Sequence, residues 1–261
     1  MLTILDEEFA PITSCAVFVN APLERITTFE TERERTRLER DKDRPERERS
    51  MPVTVTELNG RLRQLLPVLE PLTSPITLRR LWIQTRHPEW SVFFAGNTRG
   101  TVIQGPTTVQ GYCHHLQVPG LEIVVSPHTL RRDGTGRAGN MVFSMHDRTG
   151  DGARVVAAQL GDGDRWVFTD VGMVQPFEQP EAYKARRIRD RLTSRMIADY
   201  CAALGLHPFE EDFYGPRALL LEHPVESLPP YFDRSTMVEM SLAEVQAEAG
   251  IVPDEAAGLP G

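Results

Sequence analysis

Four groups of side chains have types and spacing that could do chemistry. His114 and His115 stand side by side, His128 lies further along, and His146-Asp147 is an adjacent pair. Neighbours on a helix point about 100° apart, so His114 and His115 do not readily share one metal. A small enzyme site could still gather His128, His146 and Asp147 from strand ends. It would need a pocket that perturbs their pKa values. No metal-binding spacing such as H-E-x-x-H or a C/H signature is present. The acidic turns Asp147 to Gly152 and Asp162-Gly163-Asp164 lack the alternating register and distant acid of a calcium loop, so they read as turn chemistry. No G-x-S-x-G elbow, Walker A loop or G-x-G-x-x-G occurs. Gly96 and Gly100 follow a strand-like run, but no Lys-Ser/Thr pair comes after them. No cofactor and no metal is expected.

The third group is basic. Six bases fall between Lys184 and Arg195. The spacing of Ile188 and Leu192 predicts a helix over 183–195, with Arg186, Arg187 and Arg189 on its solvated faces. The fourth group is Glu210, Glu211 and Asp212 in FEEDFY. The two groups together form a candidate docking surface for a partner protein. A nucleic-acid site would need a wider basic surface with stacking aromatics, so that alternative is the weaker one.

Elements to position these groups can be read from periodicity. Leu58, Leu62, Leu65, Leu66 and Leu69 predict a first helix with Thr56 as N-cap, ended or kinked by Pro67. Strand-like runs follow at 76–85, 90–96, 121–126, 140–145, 153–160 and 165–170. Val109, Tyr112, Cys113 and Leu116 make a short helical stripe. The loop GDGD joins the last two runs as a hairpin. Trp166 and Phe168 share one face of its second strand. With Phe177, Leu62 and Leu66 they are the expected core, Trp166→Ala costing roughly 3–5 kcal/mol if fully buried. Thr193 or Ser194 caps a helix whose apolar face is Met196, Ile197, Tyr200, Cys201 and Leu204, with Gly205 at its end. Residues 218–221 suit one more buried strand. Ser241 with Glu244 forms a capping box.

Composition bounds the rest. The net charge of −8 argues against bulk attraction to nucleic acid or anionic membrane. No apolar run approaches the roughly 20 residues that span a bilayer, and the N-terminus carries acids where a signal peptide needs bases. Three widely spaced cysteines fit neither a disulfide framework nor a zinc site. The expected setting is cytoplasmic. The chain holds 27 Arg and only 2 Lys, a bias that points to a high-GC bacterial genome. Residues 28–50 hold eight acids and eight bases and almost no apolar residue. They read as a disordered or helical leader spanning 1–50, with Met51 as a candidate native start. An α+β domain is expected at 51–225, with a mainly antiparallel sheet covered by helices, and an extension with one short helix at 226–261. In layout alone the chain resembles small cytoplasmic bacterial proteins of unknown function, some of them similar in size and layout to toxin-immunity or accessory proteins. With no catalytic signature and charged surfaces of both signs close in sequence, the expected function is a non-enzymatic protein-interaction module.

Overall fold

The computed structural model describes residues 1–43, 51–99, 107–131, 134–149, 151–228 and 232–251. The frayed tail expected at 255–261 and the helix stop expected at Pro45 lie outside these residues, as does Gly100 of the glycine-spaced loop. The fold is α+β. Nine strands form one antiparallel sheet in the order β2-β10-β4-β5-β1-β6-β7-β8-β9. They are β1 (Cys15–Val19), β2 (Thr54–Asn59), β4 (Arg79–Thr85), β5 (Ser91–Ala95), β6 (Gly120–Ser126), β7 (Asn140–His146), β8 (Gly152–Gly161), β9 (Arg165–Gly172) and β10 (Tyr214–Glu222). A second, two-stranded sheet pairs β3 (Leu72–Ser74) with β11 (Val238–Met240). The helices are α1 (Leu23–Asp41), α2 (Leu62–Leu65), α3 (Thr107–Leu116), α4 (Ser194–Ala203) and α5 (Leu242–Glu248).

Composition placed the start of the folded core at Met51, but the sheet reaches further towards the N-terminus. β1 lies between β5 and β6, and all five of its residues are buried. The run CAVFV is apolar without alternation because helices or turns cover both of its faces. The charged stretch after it is α1, in which Arg37 pairs with Glu34 at 2.6 Å. A chain beginning at Met51 would lack both elements.

The helix expected from Thr56 to Leu69 is divided. Thr54–Asn59 is β2, because Leu58 and its β-branched neighbours pair with β10, Leu58 opposite Ala218. Thr56 therefore caps nothing. Only Leu62–Leu65 is helical, followed by a 3-10 turn at Leu66–Leu69 with Pro67 as its second residue, and Leu62 and Leu66 are fully buried. The segment 183–195 is not a helix either. It makes two 3-10 turns, Ala182–Lys184 and Ile188–Asp190, and α4 begins only at Ser194, where Thr193 Oγ1 accepts from the Met196 amide at 3.3 Å. Buried Tyr183 and Leu192 and the Arg191 Nε bond to the Ala185 carbonyl at 2.9 Å hold the chain in this irregular path.

Two apolar layers sandwich the sheet unequally. The first extends from β10 and β4 to β8. On it lie the Leu62–Leu69 segment, the buried face of α4, α5 and the N-terminal turns. The second is built by Leu23 and Ile26 of α1 and the α3 stripe on β10, β4, β5, β1 and β6. Past β6, among the described residues, only half-buried Val142 packs against this second layer. The described residues thus clad the β8–β9 part of the sheet on one face.

Candidate binding surfaces

One inward position of β8 breaks the apolar pattern. Arg154 is in phase with Val156 and Ala158 and is fully buried, at 0% exposure. Its Nε and one terminal nitrogen grip Glu178 at 2.8 and 2.6 Å, and the other terminal nitrogen reaches Asp170 at 2.6 Å. The carbonyls of Val171 and Gly172 accept from it at 3.2 Å each. Glu178 also accepts from the Tyr183 hydroxyl at 2.7 Å and the Gln175 amide at 2.8 Å. Tyr183 lies 2.9 Å from the Tyr200 hydroxyl of α4. Burial alone pushes the Glu178 carboxyl up, but the Arg154, Gln175 and Tyr183 bonds together hold it below the ordinary glutamate value. Every nitrogen of Arg154 is satisfied, so the network ties β8, β9, the Gln175–Tyr183 segment and α4 together.

β9 is the last strand of the sheet, so one backbone edge pairs with no strand among the described residues. Trp166, Phe168 and Asp170 point to the clad face. Phe168 packs on Tyr183 with ring centroids 5.5 Å apart, and the Arg191 guanidinium sits 5.4 Å over its ring. Trp166, Phe168 and Phe177 are half-buried, not fully buried as expected, because the cladding ends here. The opposite face shows Val167 at 46% and Val171 at 59% exposure, and the strand runs on into exposed Met173 and Val174. Gly172 closes the strand at φ +90°, and a Cβ there would meet the Ala153 carbonyl oxygen at 2.3 Å.

Arg186, Arg187 and Arg189 are exposed and form no ion pair among the described residues, while Lys184 pairs with Glu181 at 2.7 Å. The turn at Ile188–Asp190 packs on the clad face of β8 and β9, so the segment that carries these arginines lies over the last two strands. The acids expected to join them do not. Glu211 pairs with Arg63 at 3.0 Å, Glu210 lies 3.5 Å from His207, and the Asp212 carbonyl accepts from Arg86. They lead into β10 opposite Thr85 of β4. From β4 to β8 is five strand spacings, about 24 Å.

His128, His146 and Asp147 are not brought together. His128 stacks edge-on against Trp166 (5.5 Å) near Gly139, before β7 begins, whereas His146 ends that strand. The seven residues of β7 span about 20 Å. His146 Nε2 lies 3.2 Å from Ser144 Oγ, but both are buried on the α3 side and line no described cleft. Among the described residues no group of three His, Cys, Asp or Glu could hold a metal ion. No helix among them is long and apolar enough to cross a membrane.

Two clefts remain. One, near 340 Å³, lies beside β3 and β11, with the Arg79–Glu222 pair (3.0 Å) and His223 in its lining. Burial, then Arg80 and Arg37, push His223 down to about 3, so it is neutral at physiological pH. The other, near 310 Å³, sits where β1 begins, β6 ends, β7 begins and β8 ends. Arg99, Arg137, Ser14, Ser126, Asn140 and Gln159 supply its polar lining. Sequence periodicity did not reveal it, because its residues come from five separate segments. An arginine in phase with the apolar positions of β8 was the available signal for Arg154. Comparison of the chain with protein-family models, curated proteins and solved structures finds no match in any of the three.

Proposed function

We propose that the protein is a non-enzymatic interaction module, of an accessory or immunity type, and that its partner lays an extended acidic segment along β9. The free edge of β9 carries this reading. Unpaired N–H and C=O groups on a regular strand are a template for strand addition, and soluble proteins usually blunt such edges with charge, proline or a bulge. Here the edge instead shows Val167 and Val171, pockets and ridges for alternate side chains of an added strand. The acidic character is argued from Arg186, Arg187 and Arg189 in the segment that packs on β8 and β9. Five bases stand against two acids between Glu181 and Arg191, in a chain of net charge −8. A long, uniformly basic groove for nucleic acid is not what this surface offers.

Affinity purification from the source organism at low salt tests the reading, with the native chain, Val171→Lys and Arg187→Glu as parallel baits. A protein retained by the native bait, lost from both variants and released by raised salt is the expected result. Equal retention by all three, or none by any, defeats the proposal.

A further inference from the structure

We propose that the segment taken up by β9 runs antiparallel to it and is read in a fixed order from its N-terminus: an apolar residue opposite Val171, a residue that is not an acid opposite Asp170, an acid opposite Phe168, and an apolar residue opposite Val167. This specificity rests on the strand-addition reading of β9. The backbone sets the register. The Leu160 amide of β8 donates to the carbonyl of Gly139, on the β7 side, at 2.9 Å. Backbone groups alternate in direction along a strand, so Gln159 and Gly161 face β9, where they lie opposite Val167 and Arg165. Val167, Thr169 and Val171 accordingly direct their N–H and C=O groups at β8, while Trp166, Phe168 and Asp170 direct theirs out of the sheet. An added strand bonds to those last three residues. Every pairing described within the large sheet is antiparallel, the arrangement with the stronger pairing per residue.

Side chains then select by face. In an antiparallel pair, the positions without mutual hydrogen bonds bring their Cα atoms closest, about 4.5 Å apart. Here those positions lie opposite Val167, Thr169 and Val171, on the open face. Exposed Val167 and Val171, with half-buried Val155 of β8 across from Val171, select apolar residues there. The alternate residues of the added strand fall on the clad side, where charge decides. The Arg191 guanidinium sits over the Phe168 ring, and Arg191 forms no ion pair among the described residues. An acid opposite Phe168 stands one strand spacing away, about 4.8 Å, on the same face as that guanidinium. Asp170 already pairs with Arg154 at 2.6 Å, and 42% of its side chain is exposed. A second carboxylate opposite Asp170 would meet a like charge.

The test is an NMR titration of the full chain with three peptides blocked at both ends. One is Ser-Thr-Val-Thr-Thr-Glu-Val-Thr-Ser, which follows the order above. The second replaces its Glu by Gln, and the third, Ser-Thr-Val-Glu-Thr-Thr-Val-Thr-Ser, moves the acid opposite Asp170. The first peptide is expected to shift the Trp166, Phe168 and Asp170 amide signals and to slow their exchange, more than those of Val167, Thr169 and Val171. At low salt it should bind at least ~3-fold more tightly than either of the others, a margin that shrinks as salt is raised. Arg191→Gln should remove the margin between the Glu and Gln peptides; if that variant does not fold, the three peptides on the native chain decide. Equal binding of all three, or tighter binding of the third, overturns the proposal, although shifts of the outward amides would still show an edge open to a strand. No shift of any β9 amide overturns it too, and retention of a protein by the native bait but not by Val171→Lys would then leave the partner reading standing.

Discussion

The two halves of the nine-stranded sheet differ in what covers them. From β10 to β6 both faces are packed, and strands β1 and β5 are buried at every residue. From β8 to β9 the first layer alone continues, and the second face ends in exposed valines. Stability and availability are therefore separated along one sheet. The clad half supplies the core, and the half-clad edge supplies a surface. Between them stands Arg154, whose bonds fasten the half-clad edge to α4 without covering it.

The contrast can be attacked from its strongest side first. Removing residues 1–22 takes β1 from the middle of the sheet and splits it, so no cooperative thermal transition is expected by circular dichroism. A sharp melt from that chain would show that the clad half does not need its central strand. Arg154→Ala leaves Glu178 as an uncompensated buried carboxylate and should cost about 3–5 kcal/mol in urea unfolding. Trp82→Ala, at a fully buried position packed on Phe93 and Tyr112, belongs in the same range. Trp166→Ala in the half-clad region should cost less, about 1–2 kcal/mol, because its side chain is only partly buried. Val171→Lys should stay within about 0.5 kcal/mol of the native chain. If Trp166→Ala and Trp82→Ala cost the same, the inequality of the two halves is lost.

Acid and base titrations probe the same boundary. The Glu178 carboxyl is held low in the folded chain, so the unfolded chain takes up that proton first. Its stabilisation is complete above the ordinary glutamate value near ~4.3 and is lost as pH falls through the lower folded value. Glu122 of β6 is the opposite case: burial pushes its carboxyl up, against a weak contact from Cys15. The folded chain then keeps that proton longer, and stability falls as pH rises from about 4.3 through the raised value. Glu122→Gln should accordingly stabilise the protein at pH above that range. A flat or reversed difference between the two chains across that range would mean that Glu122 is not desolvated.

Local signals in the chain were legible and non-local ones were not. The GDGD hairpin, the Thr193 cap with Gly205 at φ +75°, and the reciprocal Ser241–Glu244 box all depend on residues within a few positions of each other. β1 was hidden because five apolar residues carry little weight beside the long charged run of α1. β2 was masked by leucines whose helical spacing is real only from Leu62 onward. The segment 183–195 has helical spacing but is held in 3-10 turns by Tyr183, whose partners Glu178 and Tyr200 come from either side of it. Of the candidate docking surface, Arg186, Arg187 and Arg189 could be read from the chain, but the five strand spacings between β4, next to the acids, and β8, next to the arginine segment, are set by strand order.

Amide hydrogen exchange of β9 against β1, followed by NMR on the isolated protein, addresses the free edge most directly. Every amide of β1 should be protected to near the global unfolding free energy, because strands flank it on both sides. Along β9 every second amide, the one turned away from β8, should exchange orders of magnitude faster than its neighbours. Uniform slow exchange from Arg165 to Gly172 would mean that the edge is already covered, and it would contradict the assignment of β9 as the surface left open for a partner.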